Sequence, residues 1–227
     1  DGRFLLVKNK SDIGLIRLSD RTVMQTLPFD RNGASFTGIC LSPDGKTVYV
    51  TDSRDRICVA ELDRDNILRW DDPVILPGPS FGGPPAPGGI AVSEKGDKLF
   101  VTLSRNNSLG IVDMKDNSVS EIPVGIAPYD LLLVSDKKAY VTNWGGRRPE
   151  KGESTYNTSG SQVLTDPETG IANNGSVSVL DLETRKEIKM INTGLHPCGM
   201  ALSPDGSRLY VTCSNRDIIT VIDTGTD

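Results

Sequence analysis

Trp144, Arg147 and Arg148 open a long polar stretch, "NWGGRRPEKGESTYNTSGSQVLTDPETGIANNGS" at 143–176, and His196, the single histidine, follows it in "GLHPCG" at 194–199. A guanidinium presents a planar fork that fits a carboxylate or phosphate, and an indole offers a stacking face. If these four side chains converge, they suit a small anionic or aromatic ligand. The alternative is structural: Trp144 wedges the stretch against its own sheet, and the two arginines pair with Glu150 or Glu153. No catalytic constellation accompanies them. There is no glycine-rich phosphate cradle and no nucleophile elbow; a Ser-His-Asp triad could use only His196, and no serine is singled out. Cys40, Cys58, Cys198 and Cys213 form no CxxC pair, so buried strand thiols are expected rather than a zinc site. Asp166 and Glu168 lack the ligand series of a calcium loop, and a turn is expected there. Asn157-Thr158-Ser159 matches a glycosylation sequon and is read as chance. The expectation is no catalytic residue, no metal and no cofactor.

The elements that must position these residues come from a repeat. "LSPDGKTVYVTDSRDRICVAELD" at 41–63 and "LSPDGSRLYVTCSNRDIITVID" at 202–223 are near copies, "VSEKGDKLFVTLSRNNSLGIVD" at 92–113 is a third version, and "VSDKKAYVTNWGG…NNGSVSVLD" at 134–181 is a fourth with the polar stretch inside it. The chain opens with the same phrase, from its Asp-Gly onward. Lys8, Thr51, Thr102, Thr142 and Thr212 are equivalent positions, spaced by 43, 51, 40 and 70 residues. A base period of roughly 42 with insertions of about 9 and about 28 accounts for them. Each unit reads as four strands, a to d, with alternating apolar residues. A Ser-Pro-Asp-Gly turn joins a to b, where Pro fixes φ and Gly ends the turn without a Cβ clash. No long helical pattern occurs.

Four short strands per unit of 40–45 residues is the pattern of a β-propeller. The fold expected is all-β: four-stranded antiparallel blades in an incomplete arc of about 4.5 blades, one domain over 1–227. Its units fall near 1–36, 37–87, 88–128, 129–197 and 198–227. Tyr49, Phe100, Tyr140 and Tyr210 are expected to pack between blades, and Asp63, Asp113, Asp181 and Asp223 to shape turns. Strand a is expected innermost. Loops alternate between the two ends of an antiparallel meander. The b–c insertion at 144–175 and the d–a insertion at 76–89 therefore fall on one face, together with His196. The uncovered blade faces and strand edges at the two ends of the arc predict a chain prone to association when expressed alone.

Composition sets the outer bounds. The 227 residues are 37% hydrophobic with 23 Gly and 14 Pro, which suits a turn-rich globular protein. The net charge of −5 argues against non-specific nucleic-acid binding. No apolar run nears the roughly 18–20 residues of a membrane span.

"VYVTDS", "LFVTLS", "AYVTNW" and "LYVTCS", each after a Ser-Pro-Asp-Gly-like turn, resemble the YVTN propeller repeats of bacteria and archaea. "NWGGRRP", "DPETGIANNGSVSVLDL" and "GLHPCGMALSPDGSRLYVT" are similar to the propeller found fused, in one bacterial group, to a downstream alkaline-phosphatase-like phosphoesterase domain. That resemblance implies a larger parent protein, periplasmic or extracellular, and a C-terminal phosphoesterase domain as partner in the same chain. It assigns no active site here. The leading expectation is a binding or scaffolding module that recognises a protein or a small anionic ligand on the loop face. The alternatives are an accessory propeller of an exported phosphoesterase and a lactonase-like propeller enzyme.

Overall fold

The structure is a computed structural model that describes residues 2–227. Every sheet is antiparallel, and no helix occurs among the described residues. Three strands, β1 (Phe4–Lys8), β2 (Asp12–Arg17) and β3 (Thr22–Pro28), make the first sheet. The second holds β4 (Ala34–Leu41), β5 (Thr47–Asp52), β6 (Arg56–Leu62) and β7 (Leu68–Ile75) in order. The third repeats it with β8 (Pro87–Val92), β9 (Lys98–Leu103), β10 (Ser108–Asp113) and β11 (Val119–Pro123). In the fourth, β12 (Ile126–Ser135) and β13 (Lys138–Gly146) are followed in space by β16 (Ser176–Asp181) and β17 (Lys186–Asn192). Between them in sequence lies a separate hairpin, β14 (Thr155–Thr158) and β15 (Ser161–Leu164). The last sheet is β18 (Pro197–Leu202), β19 (Arg208–Cys213) and β20 (Ile218–Asp223). The strands β4, β8, β12 and β18 contact one another side by side, so strand a is innermost. The sheets form an open β-propeller arc; β1 and β20 each end a sheet.

The core is divided among the interfaces between sheets. On β5, Val48 and Val50 face the first sheet, in a cluster with Ile13 and Leu15, while Tyr49 faces the third, in a cluster with Leu99 and Val101. The same two-residue alternation sends Phe100 toward Leu131 and Val141, and Tyr140 toward Leu209 and Val211. Tyr49, Phe100 and Tyr140 are buried, whereas Tyr210 is 36% exposed on the outer face of the last sheet, beside exposed Ile219 and Val221. The turns use the chemistry the sequence announces. In both full Ser-Pro-Asp-Gly turns the Gly amide bonds the Ser carbonyl at 2.8 Å, with φ near 70° at Gly45 and Gly206. Asp63, Asp113, Asp181 and Asp223 each accept main-chain amide protons from the residues just ahead, which makes them turn devices.

Two features recur that the sequence did not disclose. Every strand a carries a bulge opposite the repeat threonine. In the third sheet Pro87 pairs with Leu103 and Ile90 with Val101, leaving Gly88 and Gly89 across from Thr102; the fourth and fifth sheets do the same. In the second sheet Ala34 pairs with Asp52 and Ile39 with Val50, so the bulge is two residues larger. The threonine fills this bulge and latches one sheet to the next. The Oγ1 of Thr51 donates to the Gly88 carbonyl at 2.7 Å, that of Thr102 to Tyr129 at 3.1 Å and that of Thr142 to Cys198 at 3.0 Å. Lys8 occupies the same repeat position in the first sheet, and its Nζ donates to the Ser35 carbonyl of the second.

Candidate functional site

Trp144 lies on β13, just past the latch residue Thr142. Tyr129 sits in the bulge of β12, and His196 in the link immediately before β18. Their rings form one stack. Tyr129 and Trp144 have centroids 4.2 Å apart at 18°, and Trp144 and His196 are 5.1 Å apart at 8°. Trp144 is thus sandwiched, and its Nε1–H is buried without a hydrogen-bond partner among the described residues. His196 holds φ +53°, as Ala86 and Ala127 hold +51° and +52° at the equivalent positions before Pro87 and Pro128. The repeat therefore dictates that backbone, and the imidazole is the local addition. Burial lowers the His196 pKa, which favours the neutral ring. Burial raises that of the Tyr129 phenol.

The arginines expected beside Trp144 turn elsewhere. Arg147 forms an ion pair with Glu153 at the base of the hairpin, one of the two structural partners the sequence offered. Arg148 donates from Nε to the Val124 carbonyl at 2.9 Å and from Nη2 to the Asn107 carbonyl at 2.8 Å, tying the insertion to the third sheet. The chain can leave β13 this way because Gly146, at φ +72°, has the Asn174 side chain where a Cβ would stand. Of the four residues singled out in the sequence, the structure brings Trp144 and His196 together and does not bring Arg147 and Arg148 to them.

The two insertions do meet. Arg105 donates to the Pro84 carbonyl of the shorter insertion and to the Ser159 carbonyl of the longer, and its guanidinium lies 5.1 Å from the Phe81 ring. Gly160 at the hairpin tip packs against Phe81 so closely that a Cβ would overlap the ring. Asn107 anchors the hairpin through Ser161 Oγ at 2.8 Å. Under the hairpin lies a cleft of about 510 Å³, lined by Trp144, His196, Tyr156 and Arg105 with the hydroxyl residues Ser104, Thr158, Ser161 and Thr165. Trp144 also lines a second cleft of about 540 Å³, on the other side of the stack, with Tyr129, Phe36, Lys8 and Lys10. Trp144, Ala86 and Ser104 line both of these cavities, each of ligand size.

Tyr129, Arg105 and the hairpin were missed in the sequence. Tyr129 stands in "GIAPYD" at 125–130, which the repeat aligns with the His196 link, and that alignment was the available signal. The hairpin could have been found from Ser159-Gly160, a turn dipeptide between two alternating segments. The cysteines are free; burial raises Cys58 to about 11 and Cys40 to about 12, so both are protonated, unreactive thiols. Asp166 accepts protons from Glu168 N and Thr169 N in a turn.

No family model matches the chain, and no curated protein matches it in sequence. Solved structures do resemble it. Hydrazine synthase of Kuenenia stuttgartiensis aligns with a TM-score of 0.68 at 17% identity, over 99% of this chain and 60% of that one. A candidate 6-phosphogluconolactonase of Bacteroides fragilis aligns at 0.66 and 17%, over 98% and 64%. Virginiamycin B lyase of Staphylococcus aureus aligns at 0.58 and 16%, over 98% and 67%. The chain therefore spans less than two thirds of the first two. At these identities the likeness is one of fold, and propellers host many activities.

Proposed function

We propose that this propeller is a binding module that recognises its ligand on the loop face, in the cleft between the hairpin and the Trp144–His196 wall. The observation that carries this reading is that the chain's two departures from its repeat, far apart in sequence, meet over Trp144 and enclose one cavity. The lining of aromatic rings and hydroxyls, with a single guanidinium, fits a polar small molecule or a peptide side chain. The test uses Trp70→Phe, which leaves Trp144 as the only indole. Saccharides, carboxylates and short peptides are screened by its emission, with and without replacement of residues 155–164 by Gly-Gly. Ligands that shift the emission only when the hairpin is present support the reading; ligands indifferent to the hairpin, or none at all, defeat it.

A second reading is a lactonase-like or lyase-like enzyme, favoured by the names of two of the similar structures. His196 is its one imidazole and is already committed to a stack. Hydrolysis of gluconolactone by the purified protein, lost in His196→Gln, would establish it. The resemblance of the repeat phrases to YVTN and phosphoesterase-linked propellers supports a third placement, as an accessory domain of an exported phosphoesterase. The gene sequence beyond Asp227 decides that: a metal-binding Asp/His-rich domain supports it, and a stop codon after one more blade sinks it.

A further inference from the structure

From the second cleft we infer a separate site, for a small anion that carries a planar ring, with Lys8 as the anion's partner and Phe36 and Tyr129 as the ring's. The repeat serves as an internal control. Every other unit places Thr at the position of Lys8, and Thr suffices for the latch. The other three inner strands have the smaller bulge, so the fold does not require the larger one that carries Phe36. Both departures fall at one place: Lys8 Nζ bonds the Ser35 carbonyl, whose carbon is joined to the Phe36 amide nitrogen.

Phe36 is 89% exposed in the middle of a strand, an arrangement the hydrophobic effect penalises. Lys8 is half-buried, and burial lowers its pKa, with no carboxylate among the described residues to offset the desolvation. The protein is acidic overall, yet among the described residues no Asp or Glu lines this cleft, while Lys10 adds a second cation. An ammonium with donors to spare beside a bare phenyl and a tyrosine complements a ring with an acidic substituent. The two clefts share Ala86, Ser104 and Trp144 in their walls, so removal of the hairpin is included in the test to tell the sites apart.

The probe is benzoate, with benzyl alcohol as its uncharged counterpart and acetate as its ringless one, each titrated against the purified protein by ligand-observed NMR. Benzoate is expected to bind more tightly than either. Lys8→Thr, which installs the residue the repeat uses elsewhere, should weaken benzoate roughly tenfold and leave benzyl alcohol within about twofold. Phe36→Ser should weaken both ring compounds. If Lys8→Thr fails to fold by circular dichroism, Lys8→Met is read in its place. The inference is overturned if the unaltered protein does not prefer benzoate, if the lysine variants bind it as tightly, or if losing the 155–164 hairpin abolishes binding while losing the Lys8 charge does not.

Discussion

The third and fourth sheets are built on the same ladder and differ almost entirely in what joins their second and third strands. In the third, four residues separate β9 from β10; in the fourth, residues 147–175 and a complete hairpin intervene between β13 and β16. The pairing does not register the difference. Leu103 faces Ser108 and Thr102 faces Leu109, and in the same order Asn143 faces Ser176 and Thr142 faces Val177. Long insertions are tolerated because loop-closure entropy grows only slowly with length, provided the strands are fixed by other contacts. Here those contacts are the apolar clusters between sheets and the threonine latches. The difference teaches that this chain keeps its strand ladder and its insertion in separate residues, so each can be altered without the other.

The largest expected effect comes from breaking what the two sheets share. Phe100 is 2% exposed and lies between them; Phe100→Ala should cost about 3–5 kcal/mol in urea unfolding while leaving the Trp144–His196 stack intact where the chain remains folded. A smaller effect should separate the two sheets. Where the third has Leu103, the fourth has Asn143, fully buried, whose Nδ2 donates to Ser176 Oγ at 3.1 Å and Ser178 Oγ at 2.8 Å. Asn143→Ala removes the donor to both hydroxyls and should cost about 1–3 kcal/mol, with faster amide exchange confined to the mouth of the insertion. Exchange spreading equally through the third sheet would show that the two are less separable than their registers imply.

The smallest effect is one of pH, and it belongs to the link after the insertion alone, since the links that lead into the third and fourth sheets have Ala86 and Ala127 where this one has His196. Because burial depresses the folded-state pKa of His196 below its ordinary 6.5, its contribution to stability is complete above that value. It is lost progressively as pH falls below 6.5 toward the folded pKa. NMR titration should place the midpoint below 6.5, and Trp144 emission in the Trp70→Phe protein should change over the same range. A midpoint at or above 6.5 would mean that the stack does not shield the imidazole.

The architecture was legible in the sequence because repetition multiplies weak signals: five versions of one phrase fixed the strands, the turns and the acid at each turn. Departures from the repeat were legible as positions but not as partnerships. Trp144 and His196 could be assigned to one face by counting strands. That Arg147 would fold back on Glu153, and that Arg148 would serve main-chain carbonyls, depends on the path of a loop with no repeat to align it. Tyr129 was hidden for the opposite reason: it lies in an ordinary link phrase, and only the bulge opposite Thr142 turns it toward Trp144. The significance of Lys8 needed the latch geometry, since a lysine among threonines in an alignment gives no hint of which carbonyl it reaches.

The latches also make the chain a mechanical series. Each runs from the second strand of one sheet to the innermost strand of the next, and no described latch skips a sheet. Tension applied at the two ends would therefore be carried through them in sequence, and sheets would detach singly. Each ordinary release would add roughly 130–185 Å of extended chain, at the reach of about 3.3–3.6 Å per residue. The fourth sheet, with its insertion, would pay out roughly 230–250 Å at the same scale, so a pulling trace would carry one long step among shorter ones, a length marker written into the molecule by the loop that does not disturb its ladder.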